Sequence, residues 1–191
     1  MTETQYYCAA SLDGYIAEAD DTIEWLTTYD GRYEGNGAPP VEGGYDDFYA
    51  QIGALVMGSV TYRWVLDNAA HWPYPGRRCW VLSSRDLPLP GGDGVDVRIV
   101  NRPVTELHGE MLAAAGEGDL WVVGGGNVAS QFADAGLLDE VAVTIVPAVL
   151  GDGKRLFDRR LPGGPMQLTG VFPRKNGMVE LRYSVARGDA T

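Results

Sequence analysis

The sequence predicts an α/β fold: a mostly parallel sheet covered by helices and finished by an antiparallel hairpin at the C-terminal end. Three observations lead there. Strand-like and helix-like segments alternate along most of the 191 residues. Four of the strand-like runs are short and apolar on both faces, the pattern of strands covered from both sides. After Val141 the helices stop, and AVTIVPAVLG, QLTGVF and MVELRYSV follow one another as strands.

The first strand is Tyr6–Ala10. Residues 30–44, DGRYEGNGAPPVEGG, form a Gly/Pro-rich loop long enough to suggest a lid over a site. Helix Asp46–Ile52, strand Ala54–Met57 and helix Val60–Asn68 come next. Strands Cys79–Leu82 and Val95–Val100 precede helix Thr105–Ala115, whose apolar residues Leu107, Met111, Leu112 and Ala115 recur at helical spacing and which Gly116 can end. Strand Leu120–Val123, helix Val128–Ala135 and strand Val141–Val149 complete the alternation. Lys175-Asn176-Gly177 is the turn signal between the last two strands. Without an internal repeat or a dividing linker, residues 1–191 read as a single domain.

Fifteen Lys and Arg stand against 26 Asp and Glu, a net charge of −11. Residues 1–50 alone hold 11 acids and one base, Arg32. Such a surface repels phosphate backbones, so no nucleic-acid partner is expected. No apolar run reaches the roughly 20 residues of a membrane span. The start, MTETQYYCAASLDGY, lacks a secretory pattern, so a cytoplasmic location is expected. Cys8 and Cys79 sit in apolar strand-like runs, and His71 and His108 have no ligand-spaced neighbours, so no metal site is expected.

Three strand ends carry the chemical signal. In LWVVGGGNVASQF a buried strand runs through Gly124-Gly125-Gly126 into a helix beginning near Asn127 or Val128. Glycines let the backbone approach a ligand closely, and a helix N-terminus offers N–H groups to a phosphate. In ALVMGSVTYRW a strand ends at Gly58, with Ser59 or Thr61 placed to cap the next helix. In VLSSR a strand ends in Ser83, Ser84 and Arg85, a hydroxyl pair and a guanidinium suited to phosphate. The G-x-G-x-x-A spacing from Gly124 does not make a Rossmann site. About 120 residues precede it, and the next strand, AVTIVP, ends without the ribose-binding acid.

The order of these motifs resembles the dihydrofolate reductase superfamily, and within it the C-terminal reductase domain of the riboflavin-biosynthesis deaminase/reductase. The resemblance rests on Ser11-Leu12-Asp13-Gly14-Tyr15-Ile16-Ala17, Val56-Met57-Gly58 with Thr61-Tyr62, Val81 to Arg85, the Gly124–Gly126 turn, and PAVLGDGKRLF from Pro147 to Phe157. It implies a three-layer fold with a central sheet of about eight strands and NADPH lying across it. It further implies that Gly58, Ser59, Thr61, Ser83, Ser84 and Arg85 hold the adenosine-phosphate end, and that Gly124, Gly125, Gly126, Asn127 and Val128 receive the pyrophosphate. Ala10, Asp13 and Ile16 would line the nicotinamide and substrate cleft, where hydride passes to a polarised C=N or C=O carbon.

Many relatives carry a basic residue where this chain has Ser59, which leaves Arg85 or Arg63 to meet a 2′-phosphate. Glu42, Asp46 and Asp47 compete for the acid that grips a pteridine-like ring edge. Asp13 is the candidate catalytic acid. Trp25, Asp46 and Lys154 are candidate substrate contacts, with Trp25 and Tyr45 able to stack on a flat heterocycle and Lys154 or Arg155 able to meet a substrate phosphate. The implied activity is NADPH-dependent reduction of a pyrimidine- or pterin-like compound, nearest to 5-amino-6-(5-phosphoribosylamino)uracil. Dihydrofolate reduction and an NADPH-binding protein without chemistry are the alternatives. The β-rich C-terminal third suggests a homodimer.

Overall fold

In the computed structural model, residues 2–29, 44–174 and 177–186 are described. Most of the Gly/Pro-rich loop with Glu42, and the Lys175-Asn176 pair of the expected turn, lie outside them.

The described residues form ten strands and five helices: β1 (Thr4–Ser11), β2 (Tyr15–Ala17), α1 (Glu24–Thr27), α2 (Tyr45–Gln51), β3 (Ile52–Gly58), α3 (Ser59–Asn68), β4 (Arg78–Leu82), β5 (Asp96–Val100), α4 (Val104–Ala115), β6 (Asp119–Gly124), α5 (Gly126–Asp134), β7 (Glu140–Val146), β8 (Lys154–Arg155), β9 (Gln167–Pro173) and β10 (Val179–Ser184). Eight strands form one sheet in the order β5-β4-β3-β6-β1-β7-β10-β9. β5, β4, β3, β6, β1 and β7 run parallel, and β10 is antiparallel to both of its neighbours. The expected mostly parallel sheet with a closing antiparallel pair is what the chain builds.

Strand alternation makes the three layers. Tyr6, Val56, Trp80 and Val122 face one side, packing on Leu107 and Met111 of α4 and Phe132 of α5. Their neighbours Tyr7, Leu55, Val81 and Trp121 face the other, packing on Phe48 of α2 and on Tyr62 and Val65 of α3. Adjacent residues of one strand thus feed two cores, which is why these runs read as apolar throughout. Each large buried side chain contributes about 1.5–3 kcal/mol of transfer free energy.

Local differences have local causes. β7 stops at Val146 rather than Val149, because Pro147 has no N–H for the ladder and Ala148 N–H turns back to Val146 O (2.8 Å). α3 and α5 are entered from extended Gly58 and Gly125, and no side chain caps either. Ser59 is already the first helical residue, so neither it nor Thr61 makes the expected cap. α1, β2 and β8 have four, three and two residues, too few for periodicity to reveal. Among the described residues no helix is long and apolar enough to cross a membrane.

Candidate active site

β3 and β6 are neighbours in register, Met57 opposite Gly124, so both strands end at one place and α3 and α5 begin side by side. The two turns touch. A Cβ on Gly58 would lie 3.2 Å from Val128 Cγ2, and one on Gly124 would lie 3.3 Å from Thr61 Oγ1. Gly124 has φ +149°, and its peptide bond to Gly125 is cis. The three glycines then divide their work. A methyl on Gly125 would meet only Ile16 Cδ1, at 3.8 Å, whereas one on Gly126 would run into the carbonyl oxygens of Arg155 and Leu156. Gly126 is therefore required by packing, and Gly125 leaves space.

That space belongs to a cleft of about 980 Å³. Its glycine-rich end comprises Gly58 to Thr61 and Gly124 to Val128, with Ile16 opposite. The same cleft is also lined by the aromatic side chains Tyr7, Tyr45, Trp64 and Trp121. Trp121 is fixed by its indole N–H donating to Tyr7 O (3.0 Å), and Tyr7 stacks on Phe48 with ring centroids 4.2 Å apart. At the rim, Lys154 Nζ lies 3.3 Å from Asp21 Oδ1. Asn127 Nδ2 donates to Asp158 Oδ2 (2.6 Å) and its Oδ1 accepts from Gln131 Nε2 (2.8 Å), which orients the amide at the start of α5. Partial burial tends to raise the Asp158 carboxyl, but the Asn127 hydrogen bond and the Arg159 guanidinium outweigh it and hold the carboxyl low.

Of the expected contacts, Ile16, Gly58, Ser59, Thr61, Gly124, Gly125, Gly126, Asn127, Val128 and Lys154 line this cleft together. Ser83, Ser84 and Arg85 follow Leu82, which lines it, and Ser83 Oγ accepts from Arg85 N–H (3.0 Å) in a local turn.

Four of the expected residues do not line the cleft. Ala10 is wholly buried inside β1, and Tyr7, Cys8 and Ala9 line the cleft instead. Trp25 is partly buried and packs against a small apolar cluster of Ala9, Leu26, Val146 and Met178. Asp46, like Asp47, is exposed on the first turn of α2, where Tyr45 supplies the lining residue. Asp13 is not a lining residue either. Its Oδ1 accepts from Ser11 Oγ (2.7 Å) and Leu150 N–H (3.1 Å), and its Oδ2 from Gly151 N–H (2.7 Å). The Ser11 hydroxyl lowers the carboxyl most; burial is the next largest effect and opposes it, and the Gly151 and Leu150 N–H groups add to the lowering, which leaves the carboxyl at about 2. The carboxylate is ionised at neutral pH and accepts three hydrogen bonds. Asp13 is a clasp tying the 11–14 turn to the loop that leads into β8.

The clasp has a testable acid limit. A carboxyl lowered from 3.8 to about 2 stabilises the fold fully above 3.8 and loses that contribution as pH falls towards 2. The Gly151 amide proton is expected to titrate near that lower value in NMR spectra. In Asp13→Asn the titration should vanish and amide exchange around 150–151 should accelerate; an unchanged titration would assign it to another group.

Of the aromatic lining residues Tyr45 is an expected stacking contact, and Tyr7, Trp64 and Trp121 are what the motifs missed. They come one from each of β1, α2, α3 and β6, and only the sheet order gathers them.

Comparison with known proteins agrees with this geometry. Residues 103–179 match the RibD C-terminal domain. The uncharacterized protein YwjB of Bacillus subtilis is 29% identical over 169 residues, spanning 88% of this chain and 90% of its own. A crystal structure from Shewanella sp. PV-4, of a protein named for riboflavin biosynthesis, superposes with TM-score 0.79 at 27% identity, covering 97% of this chain and 100% of that one. Dihydrofolate reductase from Enterococcus faecalis, in complex with NADP(H), superposes with TM-score 0.60 at 18% identity, covering 96% of each chain. The chain has a dihydrofolate reductase-like fold and, over residues 103–179, is similar to the RibD C-terminal domain.

Proposed function

We propose that this protein is an NADPH-dependent reductase of a flat pyrimidine- or pterin-like heterocycle. One observation carries the reading: two glycine-ended strands deliver two helix N-termini side by side into a cleft that aromatic side chains also line. The N–H groups and dipoles of α3 and α5 suit a pyrophosphate. The clear space above Gly125 fits a dinucleotide, because no backbone atom comes within 4 Å of a Cβ placed there. Gly58 to Thr61 and Gly124 to Val128 would hold the pyrophosphate, Ser83 to Arg85 the adenosine end, and Ile16 the edge of the nicotinamide. When bound, the cofactor supplies the hydride. The chain's own work is alignment: Tyr45, Trp64 and Trp121 hold the heterocycle flat and keep water away from the transfer.

Charge narrows the substrate. Among the described residues, the carboxylates lining the cleft are Asp21 and Asp158, which face Lys154 and Arg159. Both are paired with cations at the edge of the cleft. The cations of the lining are Lys154, held by Asp21, and Arg155, whose guanidinium lies 5.5 Å from the Tyr15 ring centroid. A ribose phosphate would compete with Asp21 for Lys154. The nearest named activity, reduction of 5-amino-6-(5-phosphoribosylamino)uracil, is therefore expected with its dephosphorylated form at least as readily as with the phosphate ester.

NADPH oxidation with each of these compounds and with dihydrofolate tests the reading. Turnover of a pyrimidine supports it. Tight NADPH binding without oxidation of any heterocycle points to the non-catalytic alternative, and failure to bind any nicotinamide dinucleotide ends the proposal. Arg85→Ala is expected to raise the NADPH KM about tenfold, roughly the 1.4 kcal/mol of one charge-assisted contact, with NADH unaffected. An equal effect on both cofactors would remove Arg85 from the 2′-phosphate.

A further inference from the structure

Tyr45 and Tyr49 stand one helical turn apart on the same face of α2, their rings stacked with centroids 5.7 Å apart and 7° between planes. Tyr45 lines the cleft and meets the ring of Trp121, which also lines it, edge-on at 5.9 Å. Tyr49 is not a lining residue. With seven residues α2 is too short to hold itself, no side chain caps its start, and its last turn has no basic residue. Arg77, just before β4, supplies what is missing. Its Nε donates to Ile52 O (2.6 Å) and its Nη2 to Tyr49 O (3.1 Å), carbonyls at the C-terminal end of α2, where a cation also suits the helix dipole. The same guanidinium lies over the Tyr49 ring, 3.9 Å from its centroid.

We infer that Arg77 is a positioning residue for the heterocycle: the guanidinium, Tyr49 and Tyr45 form one stacked column, and its last member is the ring that the cleft offers to substrate. The identity of that ligand rests on the proposed reductase reading, whereas the placement of Tyr45 rests on the column alone. Arginine suits the position as lysine does not. Its planar fork donates to two carbonyls while its face covers a ring, and an ammonium cannot do both. Arg77 pins the end of α2 and Phe48 is buried beneath the helix, so α2 cannot turn about its axis and Tyr45 keeps its angle to Trp121. A stacking surface displaced by about 1 Å is enough to slow a reaction that needs aligned partners. The glycine turns lie at the opposite end of β3 and at the end of β6, so the proposed dinucleotide contacts do not depend on the column.

NMR spectra of the tyrosine rings in the full chain test the placement without any substrate. In Arg77→Met the Tyr45 ring resonances, shifted by the neighbouring Tyr49 and Trp121 rings, are expected to move toward those of exposed tyrosine while far-UV circular dichroism stays unchanged. Tyr49→Leu should move them likewise, and Arg77→Lys, which keeps the charge and loses the fork, should recover only a minor part of the change. In turnover, Arg77→Met should lower kcat/KM for the pyrimidine about tenfold and leave the KM for NADPH within about twofold. Combining Arg77→Met with Tyr49→Leu should add little to either alone, because both break one column. Tyr45 resonances that stay in place in both single variants overturn the inference and leave the reductase reading standing. Equal losses toward pyrimidine and NADPH also overturn it, since they mark a general loosening of the fold. Resonances that move, in a protein that reduces no heterocycle, would uphold the column and remove the reductase reading instead.

Discussion

Gly125→Ala is expected to abolish or weaken NADPH binding at least tenfold while leaving the melting temperature unchanged or slightly raised, and Gly126→Ala to do the reverse in stability. The two residues are adjacent, yet the space around them differs. Gly125 has φ −87° and ψ −172°, a conformation open to any residue, and its new methyl would meet Ile16 at an ordinary 3.8 Å. Nothing in the fold resists that methyl, and a less flexible unfolded chain adds about 0.4–1 kcal/mol of stability. The methyl would nevertheless occupy the surface on which a pyrophosphate is proposed to lie. At Gly126 the added Cβ meets the carbonyl oxygens of Arg155 and Leu156, rigid backbone that cannot yield as a side chain would. Such overpacking costs about 1–3 kcal/mol or more, and it displaces the segment whose Leu156 carbonyl accepts from Tyr6 OH (3.3 Å). Differential scanning fluorimetry and calorimetric titration with NADPH separate the two effects. If Gly125→Ala binds NADPH as the wild type does, the dinucleotide does not lie on this turn.

The same pair shows how far the sequence could be read. Gly124-Gly125-Gly126 announces a sharp strand-to-helix turn, and the following apolar periodicity announces α5, because both signals are local. It does not say which glycine serves a ligand and which serves packing. That depends on residues 155–156, some thirty positions away. The same limit explains Asp13. An Asp-Gly pair in a loop suggests either a turn or an active-site acid, and the partners that decide the matter, Leu150 and Gly151, arrive from beyond β7. Asp46 and Trp25 lie outside the lining for a related reason, since α2 presents Tyr45 to the cleft and α1 presents Leu26. Short-range chemistry was legible in the sequence. The choice among candidates on one element waited on tertiary neighbours.

Glu180→Ala is expected to be among the most destabilising single substitutions in the chain. The residue is fully buried on β10, where Oε2 accepts from Arg174 Nη2 (2.6 Å) and Oε1 from Arg182 Nε (2.7 Å). Arg174 has a side-chain exposure of 4%, so its charge is largely removed from water, while Arg182 keeps 25%. Removing the shared anion leaves two guanidiniums facing each other across a cavity. Breaking a buried pair in this way costs about 3–5 kcal/mol, which for a chain of this size lowers Tm on the order of 10 °C. The arrangement is costly to break without being the most stable filling of the site, because desolvating three charges offsets much of their attraction. Replacing the group together, as Glu180→Leu with Arg174→Met and Arg182→Met, should therefore recover at least half of the lost stability. Thermal melts of the single and triple variants check both statements. A single variant that melts with the wild type would mean that the guanidiniums reach water when the carboxylate is gone. A triple variant no better than the single would mean that these side chains hold β9 and β10 together through contacts other than their charge.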